Sequence, residues 1–91
     1  MDFEWDEDKR TSTFEGRGVD FAQMTEMFAA PIIEWPDTRK SYGEERFIAL
    51  GVYQGRVHVV VYTIRNGKRR IISARKANNR EQEIYWRALA R

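Results

Sequence analysis

Residues 46–77, RFIALGVYQGRVHVVVYTIRNGKRRIISARKA, contain the reading that decides the fold. Three runs rich in β-branched and aromatic residues follow one another, Phe47 to Tyr53, Arg56 to Ile64 and Lys68 to Lys76. Gln54-Gly55 separates the first two. Asn66-Gly67 separates the second and third, a strong hairpin signal because both residues accept positive φ. In the middle run Val57, Val59, Val61 and Thr63 alternate with His58, Val60, Tyr62 and Ile64. Both faces are largely apolar, so this strand is expected to be central and covered on both sides.

Working outward, Phe3 and Trp5 alternate with Asp2, Glu4 and Asp6, the pattern of a short amphipathic strand. Asp6 then serves as a helix N-cap, with Glu7 and Asp8 favoured in the first turn. That helix is expected to reach about Glu15, where Gly16-Arg17-Gly18 stops it, with Phe14 as its main apolar anchor. Asp20 caps a second helix, in which Phe21, Met24 and Phe28 share one face and which Pro31 closes. Ile32 to Trp35 reads as an edge strand halted by Pro36-Asp37, and Asp37 to Glu44 as a polar loop. The last helix starts at Asn78, with Glu81 at N3 as in a capping box. Ile84, Tyr85, Ala88 and Leu89 form its apolar stripe, and Trp86 projects elsewhere. The fold class is α+β, one small domain over residues 1–91, with a twisted antiparallel sheet carrying helices on one side.

The 91-residue chain has no Cys and one His, which excludes disulfides, thiolate sites and any usual metal-ligand spacing. Its acidic start, Met-Asp-Phe-Glu-Trp-Asp, is unlike a secretory signal, and no apolar run approaches membrane-spanning length. A soluble cytoplasmic protein with no membrane partner, no metal and no cofactor is expected. The net charge of +2 conceals a strong asymmetry. Residues 1–45 hold twelve Asp or Glu against five Lys or Arg, whereas Arg46 to Arg80 hold nine Lys or Arg and no carboxylate. A basic stretch of that purity on β-strands suggests a surface for a polyanion, RNA above all.

Within it, Arg75 ends a strand and Arg80 opens the last helix, whose N-terminus favours an anion, so the pair is expected to form a phosphate pocket. The competing account ties these arginines to acidic neighbours such as Glu81 or Glu83. Arg65 and Arg70 flank the Asn-Gly turn on paired strands and suit ligand contact, whereas Lys68 and Arg69 at its tip equally suit a solvated turn. Arg46, which opens the basic stretch, and Lys76, which ends its third strand, are further RNA-binding candidates. His58, mid-strand among Val and Tyr, fits a structural role better than general-base catalysis. Glu45 is a conceivable base that more often pairs with a nearby Arg, and Trp35 is expected to pack on the helices. Trp86, off the apolar stripe, is a candidate anchor for a partner.

Phe3-Glu4-Trp5-Asp6 with Lys9, Gly18-Val19-x-Phe21, Glu45-Arg46-Phe47, Arg70 through Ala77, and Arg80-Glu81 with Tyr85 together resemble the BrnT toxin family. The match runs in order over essentially the whole chain, and the Ile-Ile-Ser-Ala-Arg-Lys-Ala strand is its most specific piece. The resemblance implies a RelE-like fold and a type II toxin that acts as a ribonuclease and arrests translation. It also implies a ribbon-helix-helix antitoxin of the BrnA kind, and promoter DNA bound only through that complex. Catalysis would then fall to Arg75, Arg80, Arg65 and Tyr85 without metal, although the place of Tyr85 on the apolar stripe favours core packing of its ring with a hydrogen-bonded hydroxyl. Lys9 on the first helix would approach substrate, or else pair with an acidic neighbour one turn away. One departure is that Gly16-Arg17 stands where many members have Lys-His, leaving Arg17 to contact RNA but not to act as a base. A non-catalytic nucleic-acid-binding module, or a protein whose basic face receives an acidic partner, are the alternatives.

Overall fold

A computed structural model describes residues 1–90. Strands β1 (Phe3–Trp5), β2 (Ile33–Pro36), β3 (Arg46–Tyr53), β4 (Arg56–Arg65) and β5 (Lys68–Lys76) form one sheet in the order β1-β5-β4-β3-β2. Pairings from β2 through β5 are antiparallel, as the two hairpins require. β1 adds to the free edge of β5 in parallel, so the sheet is mixed. Asn66 (φ 53°) and Gly67 (φ 76°) both take the left-handed conformation at the β4–β5 turn, as a two-residue hairpin with this twist demands.

Helix α1 (Glu7–Arg17) starts at the Asp6 cap, whose side chain accepts from the Lys9 amide, and ends at Gly18 with φ 70°. It extends two residues beyond the expected stop and buries no residue; Phe14, the expected apolar anchor, is 55% exposed. Its tether is polar instead, since Arg10 reaches both carboxylate oxygens of Asp20. The next segment divides into α2 (Phe21–Met24) and a 3₁₀ helix (Thr25–Ala29). Phe21, Met24 and Met27 are its buried residues, a spacing of three that suits the tighter 3₁₀ winding and leaves Phe28 only partly covered.

Helices cover both faces of the sheet, not one. Val60, Tyr62, Ala49, Ile71 and Ala74 pack against Val19, Phe21, Met24 and Met27. On the opposite face Leu50, Val57, Val59 and Ala77 pack around Tyr85 of α3 (Asn79–Leu89). The apolar alternation on both sides of β4 is the cause. Tyr85 is the one buried residue of α3; Ile84 and Leu89 of the expected stripe are each 40% exposed. Because α3 covers one end of its face, the remainder of that face stays open.

Candidate RNA-binding cleft

A one-residue irregularity in β5 determines what the open face displays. Val61 pairs with Ser73 but Tyr62 pairs with Ile71, so Ile72 is an extra residue in the ladder. Strict alternation would send Arg70 and Arg75 to opposite faces of the sheet. The bulge resets the phase: Arg70 lies opposite Thr63, and Arg75 opposite Val59, both on the α3 side. Register places Arg46 and Ile48 of β3, Trp35 of β2 and Glu4 of β1 on that side too.

At its centre is a cavity of about 260 Å³. Ile48, Val59 and Val61 floor it, and Trp35, Arg39, Ser73, Arg75 and Glu81 wall it. Trp35, which the sequence reading set against the helices, is 38% exposed at this edge. Arg75 donates to both oxygens of Glu81 at 2.8 Å. Glu81 also accepts from the Asn78 amide, completing the capping box. Arg75 holds the Glu81 carboxyl below the usual range, and the carboxylate raises Arg75 in turn. Glu81 is therefore ionised at neutral pH. Arg39 stands near enough to oppose the charge on Arg75. It grips Asp37 through two 2.7 Å contacts. That carboxyl, also bonded by Tyr42, is held far below its usual range, chiefly by Arg39.

The anion place at the start of α3 is thus occupied by the chain's own Glu81, and the expected free phosphate pocket of Arg75 with Arg80 does not form. Arg80 is exposed and lines no part of this cavity. Arg46 and Arg65 share Glu44 at 2.9 and 3.4 Å, and Arg46 stacks over Tyr42 at 4.2 Å. Arg70 pairs with Glu4 at 2.7 Å. The acidic early segments therefore neutralise much of the basic stretch in place. Tyr85 is buried, and its hydroxyl donates to the Pro31 carbonyl at 2.7 Å, the geometry of a core tyrosine. Glu45 is an acceptor only through its carbonyl, which takes the Thr63 hydroxyl.

Lys9 is exposed on α1. Arg17 donates to the Ala74 carbonyl, and Lys76 faces the α2 side of the sheet opposite His58. Both lie away from the cleft, as does Trp86, 51% exposed on α3 and edge-on to Tyr85. Sequence reasoning missed Arg39, Ser73 and the cleft position of Trp35. Arg39 sat in a loop dismissed as polar, and only the β2–β3 register reveals which way Trp35 faces. Glu81 was recognised as a cap and a possible arginine partner, not as a cleft wall.

Among the described residues no group of three or more His, Asp or Glu could hold a metal, and no helix is long and apolar enough to cross a membrane. No curated protein matches the chain significantly. Residues 5–81 match the family model described as the ribonuclease toxin, BrnT, of type II toxin-antitoxin systems. The matched span includes every cleft residue and stops inside α3, short of Tyr85 and Trp86. The chain belongs to the BrnT family of ribonuclease toxins.

Proposed function

We propose that this chain is an endoribonuclease that cleaves RNA in the cleft beside α3. The observation that carries the reading is the Arg75–Glu81 pair, set beside Arg39 and facing an exposed Trp35 over a cavity of about 260 Å³. Cleavage without metal requires a base for the ribose 2′-hydroxyl and positive charge on the pentavalent phosphorane. Glu81, ionised and oriented by Arg75, takes the hydroxyl proton. The freed oxygen attacks the adjacent phosphorus, and the 5′-oxygen leaves with a proton from solvent, giving a 2′,3′-cyclic phosphate and a 5′-hydroxyl. Arg75 and Arg39 face the charge that develops on the phosphoryl oxygens. Trp35 supplies a platform on which a base stacks without sequence preference. Arg46, Arg65 and Arg70 extend along the open face as phosphate-backbone contacts.

An RNA substrate and an antitoxin partner follow from family membership. In the same reading the antitoxin is of ribbon-helix-helix type, promoter DNA is bound only through the toxin–antitoxin complex, and Trp86 with Leu89 anchors the partner. The test is cleavage of a labelled RNA by purified protein in EDTA, with product ends identified. Cyclic-phosphate products unaffected by chelation support the reading. Salt-sensitive RNA binding without any product would replace it with a non-catalytic binding module.

A further inference from the structure

The face opposite the cleft has a second cavity, about 380 Å³, between the α1–α2 turn and the β3–β4 hairpin. Its polar lining is Gln23, Tyr53, Gln54, Arg56, His58 and Lys76. No carboxylate is among them, whereas the cleft arginines are tied to Asp or Glu. Lys76 and Arg56 are exposed and have no ion-pair partner among the described residues; Arg56 donates only to the Ala77 carbonyl.

His58 is the sole histidine of the chain, and it is 4% exposed. Its Nδ1 lies 2.8 Å from the Arg56 carbonyl oxygen, so Nδ1 carries the proton and donates. Nε2 is left with its lone pair and makes no hydrogen bond among the described residues. It is not sealed away, because Arg69 Nε is the one buried side-chain nitrogen or oxygen lacking a partner there. Nε2 therefore keeps some contact with solvent, and His58 is among the residues that line the cavity. Burial first, then the charges of Arg56 and Lys76, holds the imidazole below its usual pKa and neutral in the free protein.

We propose that this cavity is a phosphoryl-binding site, taking a phosphate monoester or the phosphate of an RNA strand between Lys76, Arg56 and Nε2 of His58. A phosphate monoester dianion, like a phosphodiester, offers only acceptors, so His58 takes up a proton from solvent as the anion binds and donates Nε2–H to it. Bound phosphate raises the imidazole pKa, and by reciprocity binding tightens as pH falls. The groups facing the ring are Lys76 from β5, Arg56 from β4 and the phenol of Tyr53 from β3. No acid competes with the ligand for them. The site is independent of the cleft, and failure of either leaves the other standing.

A single histidine makes the test direct. Its ring proton shift is followed by NMR against pH in chloride and at the same ionic strength with inorganic phosphate, a nucleoside 5′-monophosphate, or an RNA oligomer lacking terminal phosphates. The expected result is an imidazole pKa about one unit higher with phosphate, equivalent to tenfold tighter binding by the protonated form. Lys76→Gln and Arg56→Gln, both at exposed positions, each weaken phosphate binding about tenfold. A response to the oligomer identifies a polymer backbone; one confined to phosphate and the mononucleotide identifies a monoester. A His58 titration identical in phosphate and chloride would overturn the proposal, as would a phosphate response undiminished in the double variant.

Discussion

Replacing Glu81 by Gln separates the two duties that this residue combines. A glutamine at N3 still accepts the Asn78 amide, so the capping box survives and α3 keeps its start. What disappears is the carboxylate charge held by Arg75 at 2.8 Å through two oxygens. The Arg75 side chain is 42% exposed and that of Glu81 20%, so solvent screens the pair. Its loss then costs about 1 kcal/mol, even allowing for bidentate geometry. For a domain of this size that lowers Tm by about 4–8 °C and leaves the protein folded at 25 °C. Loss of a general base is a larger effect, about 10²-fold or more in rate. Glu81→Gln is therefore expected to cleave RNA at least about a hundredfold more slowly while remaining folded. Initial rates on a fluorogenic RNA, read beside a thermal melt of the same sample, provide the measurement. Cleavage at the parent rate, or faster because Arg75 is released to phosphate, would show that Glu81 only caps and clamps. The proposed base would then be wrong.

Trp35→Ala should weaken RNA binding about tenfold through lost stacking, with little effect on stability because the ring is already part-exposed; unchanged affinity would remove Trp35 from the site. Tyr85→Phe deletes the hydrogen bond to Pro31 and should cost about 1 kcal/mol in urea denaturation while cleavage persists; lost cleavage at retained stability would restore the hydroxyl to catalysis. Gly51→Ala places a Cβ 3.1 Å from Cγ2 of the half-buried Ile32 and 3.2 Å from Sδ of the buried Met27. Such overpacking should cost about 1–3 kcal/mol, and a variant as stable as the parent would show that Met27 yields freely. Asp20, Asp37, Glu44 and Glu81 are all held below their ordinary values, in each case chiefly by an arginine. Their stabilisation is full above the unfolded carboxylate range and is lost as pH falls through the folded values. His58, also depressed, adds a shallower loss beginning near its ordinary 6.5. Thermal melts should decline gently below that pH and steeply below about 4; a constant Tm down to pH 2 would contradict the ion-pair assignments.

Local physics was written plainly in the chain. Asp6, Asp20 and Asn78 cap helices because short polar side chains satisfy free amides within a few residues, and Asn66-Gly67 closes a hairpin because both accept positive φ. The two apolar faces of β4 announced a covered central strand before any partner was known. The 3₁₀ winding after Met24 and the exposure of Phe14 were less legible, since both depend on what the segment packs against.

The amino-acid order alone determined the α+β class, the three-strand meander, the caps and the segregation of acidic from basic residues, all properties carried by neighbours in sequence. Tertiary structure alone decided where those charges go. Glu4 meets Arg70, and Glu44 meets Arg65, only once the sheet is assembled, and the extra residue at Ile72 brings Arg70 and Arg75 to one face. Strand alternation has a period of two, so a single inserted residue reverses the facing of everything beyond it. No local pattern around Ile72 reveals which strand will absorb it.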